Sequence, residues 1–293
     1  MNRFDFQQPA TLDEAIELLV HHGEQARIIA GGTALLLDMQ HGEIAPTHLI
    51  SLDHLPGLRA VHENDGWRIG ALATISDLAA FAARHPPLRA LVDSAWLFGG
   101  LQVRNMCTVG GNICKASPGA DMVPPLLCLD AELQLSGPDA QRSTPLDGFL
   151  IGADQTAIRP VEVLTEIRMP PLPPRTGTAF FKVMRRQAMD CSIVAAAARI
   201  TLAGDGQTVV EARVALGAVA ANPFRAKQAE ALLVGNILSP DLLREAAGAA
   251  RDASRPVNDV RASAEYRRML VETLVERAVV RAAERALSGR DAQ

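Results

Sequence analysis

The apolar positions near the N-terminus change period within the first forty residues. Leu12, Ala15, Ile16, Leu19 and Val20 recur at helical spacing behind Thr11-Leu-Asp-Glu14, in which Thr11 can cap the helix while Glu14 reaches back. His22-Gly23 stops that helix. Ala26-Arg-Ile-Ile29 is a short apolar strand that runs straight into Ala30-Gly31-Gly32-Thr33, and a second helical run covers 34–40. Residues 47–51 and 66–70 read as strands, the latter behind Asn64-Asp65-Gly66, a hairpin signal. A helix beginning at Thr74 or Ser76 dies at Pro86-Pro87, and another over 88–98 is closed by Gly99-Gly100. Residues 126–135 fit a short helix and a strand alike. Met169-Pro-Pro-Leu-Pro-Pro174 is too stiff for a strand or helix interior, which places a domain boundary there, between 1–174 and 175–293. Beyond it, 178–186, 192–202 and 208–219 read as three strands, with Gly204-Asp-Gly206 turning the second into the third. Helices follow over 226–233, 240–253 and 262–287. In the last, Leu270, Leu274, Val275 and Val279 share a face, as core positions do.

Composition narrows the class. Aromatics are only 4% of 293 residues, so the core is built from Ala, Val, Leu and Ile. The net charge is -4 and no run of Lys or Arg stands out, which argues against nucleic acid or an anionic membrane as partner. The N-terminus lacks the apolar segment of a signal peptide, and no apolar stretch reaches the length of a membrane span, so a cytoplasmic protein is expected. The four cysteines (Cys107, Cys114, Cys128 and Cys191) form no C-x-x-C pair, and free thiols in a reducing compartment are expected rather than a zinc or iron–sulfur site. The seven histidines, His21, His22, His41 and His48 among them, include no H-E-x-x-H pair, so metal ligation is not expected of them.

Two glycine segments carry the chemistry. In Ile28-Ile29-Ala30-Gly31-Gly32-Thr33 a strand ends, two glycines follow and a helix begins. Glycine permits positive φ and close backbone approach, and a helix start offers unpaired N–H groups to a phosphate. A plain strand-to-helix turn would look the same, since double-glycine turns are common. Thr108-Val109-Gly110-Gly111-Asn112 has the same character, and a pair of such segments suits a dinucleotide diphosphate, which needs donors from more than one direction. Neither G-x-G-x-x-G nor G-x-x-x-x-G-K-[ST] occurs, so a Rossmann or P-loop site has little support. Ala116-Ser-Pro-Gly-Ala-Asp121 follows. Its carboxylate suits cofactor hydroxyls, although a Pro-Gly turn with a capping Asp121 explains the spacing equally well.

With these residues on view the chain resembles the FAD-binding medium subunit of the xanthine dehydrogenase and carbon monoxide dehydrogenase family of molybdenum hydroxylases. The resemblance runs nearly end to end: Phe4-Asp-Phe-Gln-Gln-Pro-Ala-Thr-Leu-Asp-Glu-Ala, Ala30-Gly-Gly-Thr-Ala-Leu, Gly70-Ala-Leu-Ala-Thr, Gln102-Val-Arg-Asn, Thr108-Val-Gly-Gly-Asn-Ile, Ala116-Ser-Pro-Gly-Ala-Asp, Lys182 with Arg185-Arg186 and Asp190, and Ser263-Ala-Glu-Tyr-Arg-Arg-Met-Leu. It implies an α+β fold: a vanillyl-alcohol-oxidase (PCMH)-type FAD domain of two subdomains, then a C-terminal three-stranded antiparallel sheet with helices. It implies non-covalent FAD lined by Ile28, Ile29, Ala30, Gly31, Gly32, Thr33, Ala34 and Leu35, with Gly31, Gly32 and Thr33 at the diphosphate. Thr108, Val109, Gly110, Gly111 and Asn112 would hold its other side. Asp121 would meet cofactor hydroxyls, and Leu164, Lys182 and Phe98 would approach the flavin, with Lys182 a candidate for tuning it because a cation favours the anionic reduced form.

The resemblance further implies a large partner carrying the molybdenum cofactor and a small partner carrying two [2Fe–2S] clusters, from which electrons reach the FAD and pass to an external acceptor. No catalytic acid or base is expected on this chain. A stand-alone flavin oxidase or dehydrogenase of the same fold, and a scaffold subunit that has lost FAD, are the alternatives. The chain departs from the family at Thr33, where some relatives carry His, and at Lys115, where the side chain is often small or hydroxylated, so Lys115 is given no contact. Arg185 and Arg186 fit a partner or flavin contact and a solvated strand end equally.

Overall fold

The computed structural model describes residues 3–288. The first subdomain runs β1 (Asp5–Gln7), α1 (Leu12–His22), β2 (Ala26–Ile29), α2 (Leu35–His41) and β3 (His48–Ser51), and its parallel sheet has the order β1-β3-β2. Thr11 caps α1 by accepting from the Glu14 amide, while the Glu14 carboxylate accepts from Ala10 N, one residue before the position the sequence pattern suggests. Ala15, Ile16 and Leu19 of α1 pack on Ala26, Ile50 and Leu52, so the small sheet has its own core.

The second subdomain holds β4 (Val61–Glu63), β5 (Trp67–Gly70), α3 (Ile75–Ala82), α4 (Arg89–Leu97), α5 (Leu101–Met106), α6 (Val109–Lys115), α7 (Val123–Cys128), β6 (Glu132–Ser136), β7 (Gln141–Pro145), β8 (Leu150–Gly152), β9 (Gln155–Thr156) and β10 (Val163–Met169). Its antiparallel sheet has the order β4-β5-β10-β6-β7. The last residue of the central strand β10 is the methionine that opens the proline-rich segment. The β4–β5 turn places Asp65 at φ 47° and Gly66 at φ 100°, as the hairpin signal requires.

The remainder runs β11 (Thr176–Val183), β12 (Val194–Leu202), β13 (Val209–Gly217), β14 (Phe224–Arg225), α8 (Lys227–Leu233), α9 (Pro240–Ala253) and α10 (Ala264–Ser288). The three expected strands pair antiparallel in sequence order, and the two-residue β14 adds an edge. Every residue of β12 is buried. Ala195 and Ala197 face the core of the second subdomain, and Ala196 and Ala198 face α10, so both sides of the sheet are covered and methyl-sized side chains set the spacing.

Polar pins fix the C-terminal sheet to the rest. Asp130, at φ 50°, accepts from Arg199, Arg213 and Arg225 at 2.8, 3.0 and 3.0 Å. Asp93 of α4 takes both terminal nitrogens of Arg285 of α10, at 2.6 and 3.0 Å, and also the amide of Phe180. This docking brings the end of β11, and with it Lys182, against Leu97 and Asp121 of the second subdomain.

Candidate functional site

The first glycine segment is the end of β2 turning into α2. Gly32 has φ 68°, a left-handed conformation that suits glycine. Among the described residues the N–H groups of Gly31, Gly32, Thr33, Ala34 and Leu35 donate to no protein acceptor, and no side chain caps α2. Residues 28–35 are all half-buried, a run of mostly apolar surface neither in the core nor fully in water.

The second segment differs from expectation. It is a helix N-terminus, with Thr108 as N-cap of α6 accepting from Gly111 N at 3.1 Å. Val109 N donates to Ala73 O and Gly110 N to Ala71 O, both at 2.9 Å, and Asn112 N donates to Thr108 O. These amides are consumed by the 71–73 segment and by the cap, so they form no second cradle. What the segment offers is a side chain and an opening. Asn112 Oδ1 is buried with no partner, an acceptor awaiting a donor. Gly111 is exposed, and a Cβ built there would meet only Thr108 Oγ1, whereas one on Gly110 would lie 2.7 Å from Ala71 O.

The two segments touch. A Cβ on Gly31 would lie 1.8 Å from Met106 O, so only glycine lets the first loop sit against the residues just before Thr108. The Thr33 hydroxyl lies against the Cys107 thiol, whose pKa is pushed up by burial and partly held back by that contact. Lys115, left without a contact in the sequence reading, bridges Asp38 of α2 at 2.9 Å and Asp154 at 3.2 Å, tying the end of α6 to the helix behind the first loop. Its signal in the sequence was the departure from the family pattern at that position, which does not reveal the two carboxylates it meets.

Asp121 and Lys182 form a separate buried group. Lys182 Nζ donates to Asp121 Oδ2 at 2.7 Å and to Leu97 O at 3.3 Å, and Ser192 Oγ donates to Asp121 Oδ1 at 2.7 Å. Burial raises the Asp121 carboxyl, while Lys182 and Ser192 pull it back. Each carboxylate oxygen already has a partner, and the ammonium sits on a counter-ion rather than standing as an isolated cation. Ser192 went unread because nothing in its local sequence marks it. A cleft of about 410 Å³ opens beside this pair, lined by Leu97, Lys182, Val183 and Arg185. Arg185 is ion-paired with Asp190 at 3.4 Å and Arg186 donates to Met189 O.

Phe98 is buried at the end of α4, and Leu164 is buried on β10 beside a bulge. Thr165 O accepts from Ala71 N, which connects the Leu164 strand to the segment holding Gly110. Arg104 of the Gln102-Val-Arg-Asn motif was quoted from the sequence without a role. Its Nη1 donates to the carbonyls of Phe98 and Gly99 at 3.2 and 3.4 Å, bracing the α4–α5 turn. Among the described residues no group of three His, Cys, Asp or Glu is placed to hold a metal ion.

The residues present fit FAD: a run of free amides for the diphosphate, an orphaned amide oxygen, and half-buried apolar walls. Comparison with known proteins points the same way. Residues 2–172 match the model of the FAD binding domain in molybdopterin dehydrogenase, and 179–282 match the CO dehydrogenase flavoprotein C-terminal domain. The carbon monoxide dehydrogenase medium chain of Hydrogenophaga pseudoflava is 32% identical, with 94% of this chain and 96% of that one covered. The xanthine dehydrogenase FAD-binding subunit of Escherichia coli O157:H7 is 33% identical over the same shares. Among solved structures, carbon monoxide dehydrogenase from Hydrogenophaga pseudoflava superposes with a TM-score of 0.93 at 34% identity, over 97% of this chain and 98% of that one. Quinoline 2-oxidoreductase from Pseudomonas putida 86 superposes with a TM-score of 0.89 at 29% identity, over 98% and 99%.

Proposed function

The chain belongs to the family of FAD-binding medium subunits of carbon monoxide dehydrogenase and xanthine dehydrogenase type, and from that membership we propose that it carries electrons between a small [2Fe–2S] subunit and an external acceptor, while a large molybdenum subunit hydroxylates the substrate. When bound, the flavin supplies the redox chemistry. The chain's residues bind it and shape its surroundings. The amides of 31–35 grip the diphosphate, with Gly31 and Gly32 making the turn. Asn112 Oδ1 accepts from a flavin N–H or hydroxyl. Ile28, Ile29, Ala30, Leu35, Val109, Phe98 and Leu164 supply apolar wall and support. Asp121 and Lys182, already neutralising one another, set the polarity at the turn that carries Leu97. The working domains are 1–174 and 175–293.

The observation that carries this reading is the run of unpaired amides at residues 31–35, joined by the orphaned Asn112 oxygen on the segment that packs against that loop, because polar groups held out of bulk water call for a partner. A stand-alone oxidase would need a free acid or base at the site. The ionisable groups there are spoken for: Asp121 by Lys182 and Ser192, Lys115 by Asp38 and Asp154. No helix of the described residues is long and apolar enough to cross a membrane, and the four unpaired cysteines suit a reducing cytoplasm. Purified under a tag from cells expressing its full gene cluster, the chain is expected to bring down two further chains, one with iron and one with molybdenum. FAD-loaded chain that accepts electrons directly from an organic substrate, with no metal-bearing partner, would overturn the reading.

A further inference from the structure

We propose that Lys115 is a positioning residue for the diphosphate: its ion pair with Asp38 anchors helix α2 and so holds the amides of residues 31–35 where a phosphate meets them. This role deepens the function proposed above and rests on it.

Helix α2 needs an anchor. It has seven residues, too few to be stable alone, and no side chain caps it. Met39 is buried, but Leu36 and Leu37 are 36% and 51% exposed, so packing does little to fix its place. The amide run moves with the helix. Leu36 N donates to Gly32 O at 3.1 Å and Asp38 N to Ala34 O at 3.0 Å, so the residue that bears the carboxylate is bonded back to the loop through a single helical turn.

Lys115 supplies what packing does not. It ends α6, a helix whose first amides are bonded to the 71–73 segment. Its Nζ lies 2.9 Å from Asp38 and 3.2 Å from Asp154, and Asp154 N in turn donates to Ala116 O at 3.1 Å. The ammonium therefore joins α2 to a turn that is itself bonded to the end of α6. Lys115 and Asp38 are 30% and 21% exposed, so their attraction is screened less than that of a surface pair. Burial opposes the ammonium, but the two carboxylates outweigh it and raise its pKa, so it stays charged. The pairing also removes an obstacle. Asp38 stands one turn from amides that are to take a doubly negative group, and an unpaired carboxylate there would repel it. This position is often small or hydroxylated in the family, so a tether of this length is not general to it.

The test titrates the full-length, flavin-free chain with FAD and with riboflavin, which lacks the diphosphate. Lys115→Met keeps the apolar stem and removes the charge. It is expected to lower the preference for FAD over riboflavin about tenfold, between the effects of breaking an exposed and a buried ion pair. Riboflavin affinity and circular dichroism should stay at wild-type values. Lys115→Arg, whose guanidinium can meet the same carboxylates, is expected to keep the wild-type preference. Lys227→Met, which breaks an ion pair with Asp147 instead, should change neither affinity. An unchanged preference in Lys115→Met overturns the proposal. So does an equal loss of both ligands, which would mark a general weakening of the fold, and so does an arginine variant as impaired as the methionine one. Wild-type chain with no preference for FAD would instead refute the amide grip, and this role with it.

Discussion

Replacing Gly111 by valine is expected to give a folded protein that carries no FAD. The four loop glycines are not equivalent. Gly31 and Gly110 are glycine because backbone lies in the way: Met106 O at 1.8 Å and Ala71 O at 2.7 Å of an added Cβ. Gly32 is glycine because of its φ of 68°. Gly111 has neither constraint. It is exposed and helical, and an added Cβ would meet only the Thr108 hydroxyl. Losing that cap costs about 1 kcal/mol, and a β-branched residue in a helix costs less than about 1 kcal/mol more, so the fold survives. The space filled by the valine is the space left open beside Asn112, where close approach to the ligand is needed. Flavin absorbance per chain, read against circular dichroism, separates the outcomes. A Gly111→Val protein with full flavin would show that the ligand does not pass this face.

The second large effect falls on stability rather than on flavin. Gly177 of β11 faces α10 so closely that a Cβ would lie 2.1 Å from Ala282 O and 2.4 Å from Ala286 N. Its φ is not in the left-handed region, so alanine is conformationally acceptable and the whole cost is steric. The obstructing atoms are helix backbone that Asp93 and Arg285 pin in place, and no side chain can rotate aside. Gly177→Ala is expected to lower the unfolding free energy by about 3 kcal/mol, the upper part of the range for overpacking, read from the urea midpoint. Gly248→Ala is the matched control: it lies in α9 with nothing within 4 Å, and should stabilise by up to about 1 kcal/mol. Equal midpoints for the two variants would mean that β11 and α10 are less tightly apposed than described.

Features whose cause is local were legible in the sequence. The caps at Thr11 and Thr74, the Asn64-Asp65-Gly66 turn and the three C-terminal strands follow from neighbours a few residues away. Helices α5 and α6 were not read as helices, because they are short and α6 carries two glycines in its first turn. Their geometry is imposed by the 71–75 segment, which takes the Val109 and Gly110 amides and donates Ile75 N to Cys107 O. The same contacts explain why one run of unpaired amides is present where two were expected. A pair of glycines shows where a backbone can come close, but not which way its N–H groups point. Asp121 and Lys182 stand 61 residues apart, and Lys115 and Asp38 stand 77 apart, so neither pair could be seen before the chain was folded.

The central claim is that this chain grips FAD by its diphosphate, on the amides of residues 31–35. Titration of the flavin-free protein with FAD and with riboflavin, followed by flavin fluorescence, tests it directly. Two charge-assisted hydrogen bonds at about 1.5 kcal/mol each correspond to about a hundredfold in affinity, so FAD is expected to bind at least that much more tightly. Equal affinity for the two would mean that these amides hold no phosphate.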